Sequence, residues 1–350
     1  MLTQLVRDAI IFVKAIEDID DDKLKSVVKG PIFELNTLLL RLSDISSFLG
    51  VLLKEVSIDS VRWIEMLKNH NVELVEAELD LSQRFVDVVF SKFPTIVLCS
   101  ATLTTNRSFE FIRNRLGLMP DKCGRTIQEH IYDSPFNYQK QALLAIPNDL
   151  PQPNHQKYEE MASKRIIELV RISRGNAFIL FTSYQMLKNC YDQVAPQLHA
   201  ERFNLLKQGD SSRKKLIEDF RTTDRSILFG TDSFWEGVDV VGDALRCVII
   251  AKLPFKVPSE PIIQGRSERI SAKGGDPFMD YMLPMAIVKF KQGFGRLIRN
   301  KTDRGCVICL DGRILNKGYG RLFLNSLPNC QEAFTNSQAI KARMQEFYKK

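Results

Sequence analysis

The chain has 350 residues, 44% hydrophobic and 26% charged, which is enough to bury at least one full core and favours two or three units. No apolar run is read as reaching the roughly 20 residues of a membrane helix, and no basic-then-apolar signal opens the chain, so a soluble, cytoplasmic protein with no membrane partner is expected. The net charge of +7 is concentrated in residues 286–321, where Lys289, Lys291, Arg296, Arg299, Lys301, Arg304, Arg313, Lys317 and Arg321 face only Asp303 and Asp311. A charge run alone reads as a solvated face, but a phosphate-gripping motif inside it favours a polyanion, either ATP or a nucleic-acid backbone.

Residues 1–55 are helical in pattern. Leu2, Leu5, Val6, Ala9, Ile10, Val13 and Ile16 recur at spacings of three and four, the Asp18–Asp22 run interrupts, and Leu35–Leu53 resumes, predicting an antiparallel helix pair. Residues 58–79 read as a hairpin, Val61–Met66 and Val72–Ala77 around Asn69-His70-Asn71. Pro94–Cys99 reads as a short buried parallel strand ending at Ser100. A new unit begins near residue 134. Strands Ala177–Phe181, Arg202–Leu206, Ser226–Phe229, Cys247–Ala251 and Gly305–Leu310 alternate with helices, which predicts a doubly wound, mostly parallel α/β sheet. The tail from Gln331 reads as a polar helix or disordered, so the expected divisions are 1–57, 58–133, 134–330 and 331–350.

Seven scattered cysteines, an odd number, argue for reduced thiols. Cys306 and Cys309 have C-x-x-C spacing, but on a strand such side chains point to opposite faces, so core packing is expected and no metal site is assigned.

Three segments carry chemistry. Lys291-Gln292-Gly293-Phe294-Gly295-Arg296-Leu297-Ile298-Arg299 sets two arginines three apart, read as one helix face suited to a forked grip on a polyphosphate. Gly230-Thr231-Asp232-Ser233-Phe234-Trp235-Glu236-Gly237-Val238-Asp239 follows a predicted strand, and Ser100-Ala101-Thr102 ends another. In this order the segments resemble motifs VI, V and III of superfamily 2 helicases, and their wording resembles the DinG branch of the XPD/DinG group, ATP-driven DNA helicases moving 5′ to 3′ on single strands. Phe181-Thr182-Ser183-Tyr184 resembles motif IV, and Gln208-Gly209 a further strand-contacting motif. The resemblance runs over about residues 58–327.

It implies a RecA-like second motor domain, part of a first, and an N-terminal helical remnant of an arch insertion. Arg299 would be the arginine finger, with Arg296 on the same phosphates or bracing the helix, and Gln292 contacting nucleotide. Ser100, Thr102, Glu236, Gly237 and Asp239 would couple nucleotide state to domain closure. Thr182, Ser183, Gly230, Thr231, Ser233 and Trp235 would meet the DNA strand, although packing explains Phe234, and Trp235 reads equally as core.

Neither a G-x-x-x-x-G-K-[ST] loop nor Asp-Glu-x-His occurs in the chain. The phosphate loop and magnesium carboxylates of a motor are therefore expected in the N-terminal half of the protein, where many members also hold an iron–sulfur cluster. ATP and magnesium would be shared with that half. A monomer that binds single-stranded DNA, inactive as this chain alone, is the expectation. Two other readings stay open at this level: a binding module without catalysis, and a superfamily 2 helicase acting on RNA.

Overall fold

The computed structural model describes residues 2–19, 21–53, 57–67, 71–235 and 244–349. They divide into two compact units, 1–80 and 81–350, taken here one at a time.

In the first unit, helices Leu2–Glu17 and Asp22–Leu52 pack together on either side of the acidic break, as the periodicity predicts. Strands β1 (Ser60–Met66) and β2 (Val72–Glu78) form the expected antiparallel hairpin, with Trp63 opposite Val75. Arg62 pairs at 3.2 Å with its cross-strand partner Glu76. The hairpin belongs to the same unit as the helices, so the division falls at 80/81 and not at 57/58.

One helix departs from the compositional expectation. Val27–Leu52 is a 26-residue helical stretch with a window of mean hydropathy 1.3, long and apolar enough by length and composition to cross a membrane. Ser and Thr residues break up its apolar runs and hide this, yet residues 35–52 carry only Arg41 and Asp44 as charged side chains.

In the second unit, seven strands make one sheet: β3 (Ala142–Pro147), β4 (Ala177–Leu180), β5 (Asn204–Lys207), β6 (Ser226–Gly230), β7 (Cys247–Ile250), β8 (Gly305–Cys309) and β9 (Gln331–Thr335). Their order is β5-β6-β4-β7-β8-β3-β9, and every pairing is parallel. Continuous apolar strands such as Ala177–Leu180 suit burial on both faces. Helices Tyr158–Ser173, Tyr184–Ala200 and Ser337–Lys349 cover one face, and Arg213–Thr222, Leu283–Phe294 and Gly320–Asn325 the other, which is the doubly wound architecture expected. Cys306 and Cys309 enter opposite clusters, and burial pushes the Cys306 thiol up to about 12 and Cys309 higher still.

Two expectations fail in this unit. The tail is integral: β9 pairs with β3, and the last helix buries Ile340, Met344 and Phe347. That spacing of four and three is an apolar stripe on an otherwise polar helix, and Asp149 anchors its start by accepting from the Ser337 amide at 3.0 Å. Pro94–Cys99, by contrast, forms no strand, and Val97 is 83% exposed. A parallel strand exists only beside a neighbour, and the seven described strands of the sheet begin at residue 142.

Candidate nucleotide and nucleic-acid site

The Leu283–Phe294 helix stops before its arginines. Gly293 is set in it because a Cβ there would lie 2.9 Å from the Trp235 ring, and Gly295 follows directly, both poor helix formers. Arg296 and Arg299 therefore sit in the turn beyond the helix, not on one helix face, and their environments differ. Arg296 is 8% exposed, and its Nε donates to the Trp235 carbonyl at 2.9 Å. It thereby ties the end of the Gly230–Trp235 segment to the turn.

Arg299 has an exposed side chain on a fixed backbone. The Asp303 carboxylate accepts from the Arg299 and Asn300 amides at 2.7 and 2.9 Å. The Asn300 Oδ1 accepts in turn from the Thr302 and Asp303 amides, both at 2.8 Å. Gln141 donates to the Asn300 and Asp303 carbonyls, each at 2.9 Å. The Asn-x-x-Asp spacing at 300–303 was the available signal for this turn, and sequence reasoning passed over it.

Next to it, Gln292 presents a buried Oε1 with no hydrogen-bond partner among the described residues. Lys291 donates to the Thr104 carbonyl at 2.8 Å, and burial lowers its ammonium below the ordinary lysine range. This lysine ties the stretch just after Ser100–Thr102 to the helix that precedes the arginine turn. Within the segment the two hydroxyls lie 3.0 Å apart, and the Thr102 amide donates to Ser100 Oγ at 3.1 Å.

The strand-edge candidates divide as well. Thr182 follows β4, and the Ser183 hydroxyl caps the Tyr184–Ala200 helix by accepting from the Met186 amide at 3.3 Å. The Thr231 amide and hydroxyl both donate to Gln208 Oε1, at 2.6 and 3.0 Å, so Gln208 positions Thr231. Gly230 is buried, with the Phe234 ring where a Cβ would be, so the DNA-contact reading fails there: the absent side chain admits a ring, not a ligand. Trp235 is fully buried and its Nε1 donates to the Phe181 carbonyl at 3.2 Å, so it packs and does not stack on a base. Ser233 lies within the Asp232–Trp235 turn, while its side chain, and Glu236, Gly237 and Asp239 altogether, lie outside the described residues.

Sequence reasoning missed one cluster. Asp232 pairs with Lys256 at 2.7 Å and with Lys289, and the hydrogen bonds of the two ammoniums outweigh the burial that pushes its carboxyl up, leaving it below the usual carboxylate range. Asp311 accepts from the Leu253 amide at 2.9 Å and pairs with Arg313 at 2.6 Å, a structural role.

Residues 166–330 match the family described as "Helicase C-terminal domain". The chain belongs to the DinG/XPD-like helicases. Among relatives of this group, the ATP-dependent DNA helicase YoaA of Haemophilus influenzae is 39% identical over 251 residues, 72% of this chain and 38% of that protein. The 3'-5' exonuclease DinG of Bacillus subtilis is 38% identical over 293 residues, 81% of this chain and 31% of that protein. The chain thus spans well under half the length of these helicase-group relatives. Among solved structures, an XPD helicase aligns over 90% of this chain and 56% of its own with a TM-score of 0.57 at 16% identity, a likeness of fold.

Proposed function

We propose that this chain supplies the second motor domain of an ATP-dependent helicase that moves 5′ to 3′ along single-stranded DNA in repair or replication. The observation that carries the reading is the exposed Arg299 side chain on a turn locked by Asp303, Asn300 and Gln141, which follows the helix carrying the unpartnered Gln292 oxygen and a desolvated Lys291. These groups fit a polyphosphate: fixed cationic donors need no reorganisation as charge develops on a transferring phosphoryl group. In this reading Arg299 is the catalytic guanidinium and Gln292 meets the nucleotide, and magnesium held by the N-terminal half would neutralise the charge that develops on the phosphates.

Thr182 and Thr231, at the carboxyl ends of β4 and β6, would hold the DNA backbone. Lys291 bonds the Thr104 carbonyl two residues past the Ser100–Thr102 pair, and Ser100 and Thr102 would transmit closure through that link. The N-terminal half of the protein would add the phosphate loop, the magnesium carboxylates and, where present, an iron–sulfur cluster. The working protein would be a cytoplasmic monomer.

Arg299→Ala in the full-length protein is the test. Most ATPase and all unwinding should disappear while single-strand affinity stays within about twofold, and Arg299→Lys should rescue little because an ammonium cannot reproduce the fork. Affinity falling in step with turnover would instead make Arg299 a backbone contact. The absent phosphate loop favours a second reading for this chain by itself, nucleic-acid holding without hydrolysis: alone, it should turn over ATP no faster than a buffer blank. Comparing ATPase stimulation by single-stranded DNA and RNA separates the two nucleic acids.

A further inference from the structure

The chain trace through the sheet singles out one place. From β4 it moves outward to β5 and back to β6, then crosses over β4 to reach β7 and β8, so the direction of winding reverses around β4. In open parallel sheets the crevice beyond the carboxyl ends of the strands at such a reversal is where ligands bind. Thr182 stands two residues past β4, Asp232 two past β6, and Lys256 a few past β7. Together with Lys289 from the Leu283–Phe294 helix they line one small pocket, which Phe255 and Glu260 also line.

The charges in that pocket are arranged unusually for a structural contact. Asp232 sits between two ammoniums, Lys256 at 2.7 Å and Lys289, while Glu260 reaches Lys256 only at 3.9 Å. The Lys289 side chain is 12% exposed, with its ammonium 5.8 Å from the centroid of the Trp235 ring. Two lysines converging on a single carboxylate hold it in its charged form, their hydrogen bonds outweighing its burial in the pocket. They are suited to an anion, and a phosphodiester carries the same single negative charge as the carboxylate they hold now.

We propose that Thr182, Lys256 and Lys289 form a seat for one backbone phosphate of single-stranded DNA, held in the free protein by the Asp232 carboxylate, which the phosphate displaces. The proposal rests on the DNA reading above and adds to it two cationic contacts and an internal competitor. Thr182 contributes a neutral donor, and the two lysines bind the phosphate once Asp232 turns out toward solvent, where its side chain is already 46% exposed.

The test is fluorescence anisotropy of a labelled oligothymidylate with the present chain over a series of salt concentrations, with melting temperature as the control for folding. Asp232→Asn removes the competitor and should tighten binding about three- to tenfold. Lys256→Gln and Lys289→Gln should each weaken it by a similar factor and flatten the slope of log affinity against log salt by about 0.7, the loss of one single-strand phosphate contact. Lys256, one-third exposed, serves as the safer variant if Lys289→Gln melts early. Equal or weaker binding by Asp232→Asn, or unchanged affinity and slope in Lys256→Gln, overturns the seat. If Thr231→Val weakens binding while these variants do not, the DNA reading stands and the seat falls. If the wild-type chain binds no oligothymidylate at low salt, both fall.

Discussion

The turn after the Leu283–Phe294 helix contains two arginines three residues apart, and its two halves work in opposite ways. The first half is an interior: Arg296 is spent on the Trp235 carbonyl, with Leu297 and Ile298 buried beside it. The second half is a presentation surface, where a buried carboxylate and two amide side chains fix the backbone so that Arg299 is carried outward. Identical chemistry at the side chain is thus enclosed in one place and presented to solvent in the other. What separates them is burial: Arg296 is enclosed against the Trp235 carbonyl, whereas the Arg299 side chain is exposed on a backbone held by Asp303.

The largest expected effect tests the exposed half. Arg299→Ala should lower the ATPase of the full-length protein about 10³-fold or more while shifting its urea midpoint less than Arg296→Ala does, and a comparable shift would erase the contrast. Arg296→Ala should do the reverse, costing about 2–3 kcal/mol of stability in urea titrations because a buried carbonyl loses a charged donor.

Asp303→Ala lies between the two. Two amides lose their acceptor at a cost of about 1–3 kcal/mol, and Arg299 loses its fixed backbone, so ATPase should fall about tenfold with Km for ATP rising more than single-strand affinity changes. A stability loss with normal kinetics would show that the turn does not position the guanidinium.

The smallest effect concerns the start of the turn. Burial lowers the Lys291 ammonium, so the folded state binds fewer protons than the unfolded chain between the folded and the ordinary lysine values, and stability should rise with pH through that window. Lys291→Met should remove the rise, leaving an alkaline stability profile flatter than wild type. An unchanged profile would mean that another group titrates there.

Much of this protein was legible in its residues. Apolar runs such as Ala177–Leu180 and Ser226–Gly230 marked the central strands, and the acidic run at 18–22 marked the break between the first two helices. The order of the motif-bearing segments pointed to the helicase group. The failures share a cause. Pro94–Cys99 has the composition of a strand but no neighbour in this sheet, Gln331–Lys349 has the composition of a tail but a stripe that the sheet edge can bury, and Gly230 and Trp235 look like ligand contacts until a ring and a carbonyl are placed against them.

By itself, then, the sequence determined the central strands from Ala177 to Cys309, their alternation with helices, the family, and the residue types able to grip phosphate, because these depend on local periodicity and short spacings. Only the tertiary structure decided which arginine faces outward, that Gln208 orients Thr231, and that Asp232, Lys256 and Lys289 converge although the chain separates them widely. Burial and acceptor supply are properties of three-dimensional neighbours, and in a doubly wound sheet those neighbours arrive from strands adjacent in space and distant in the chain.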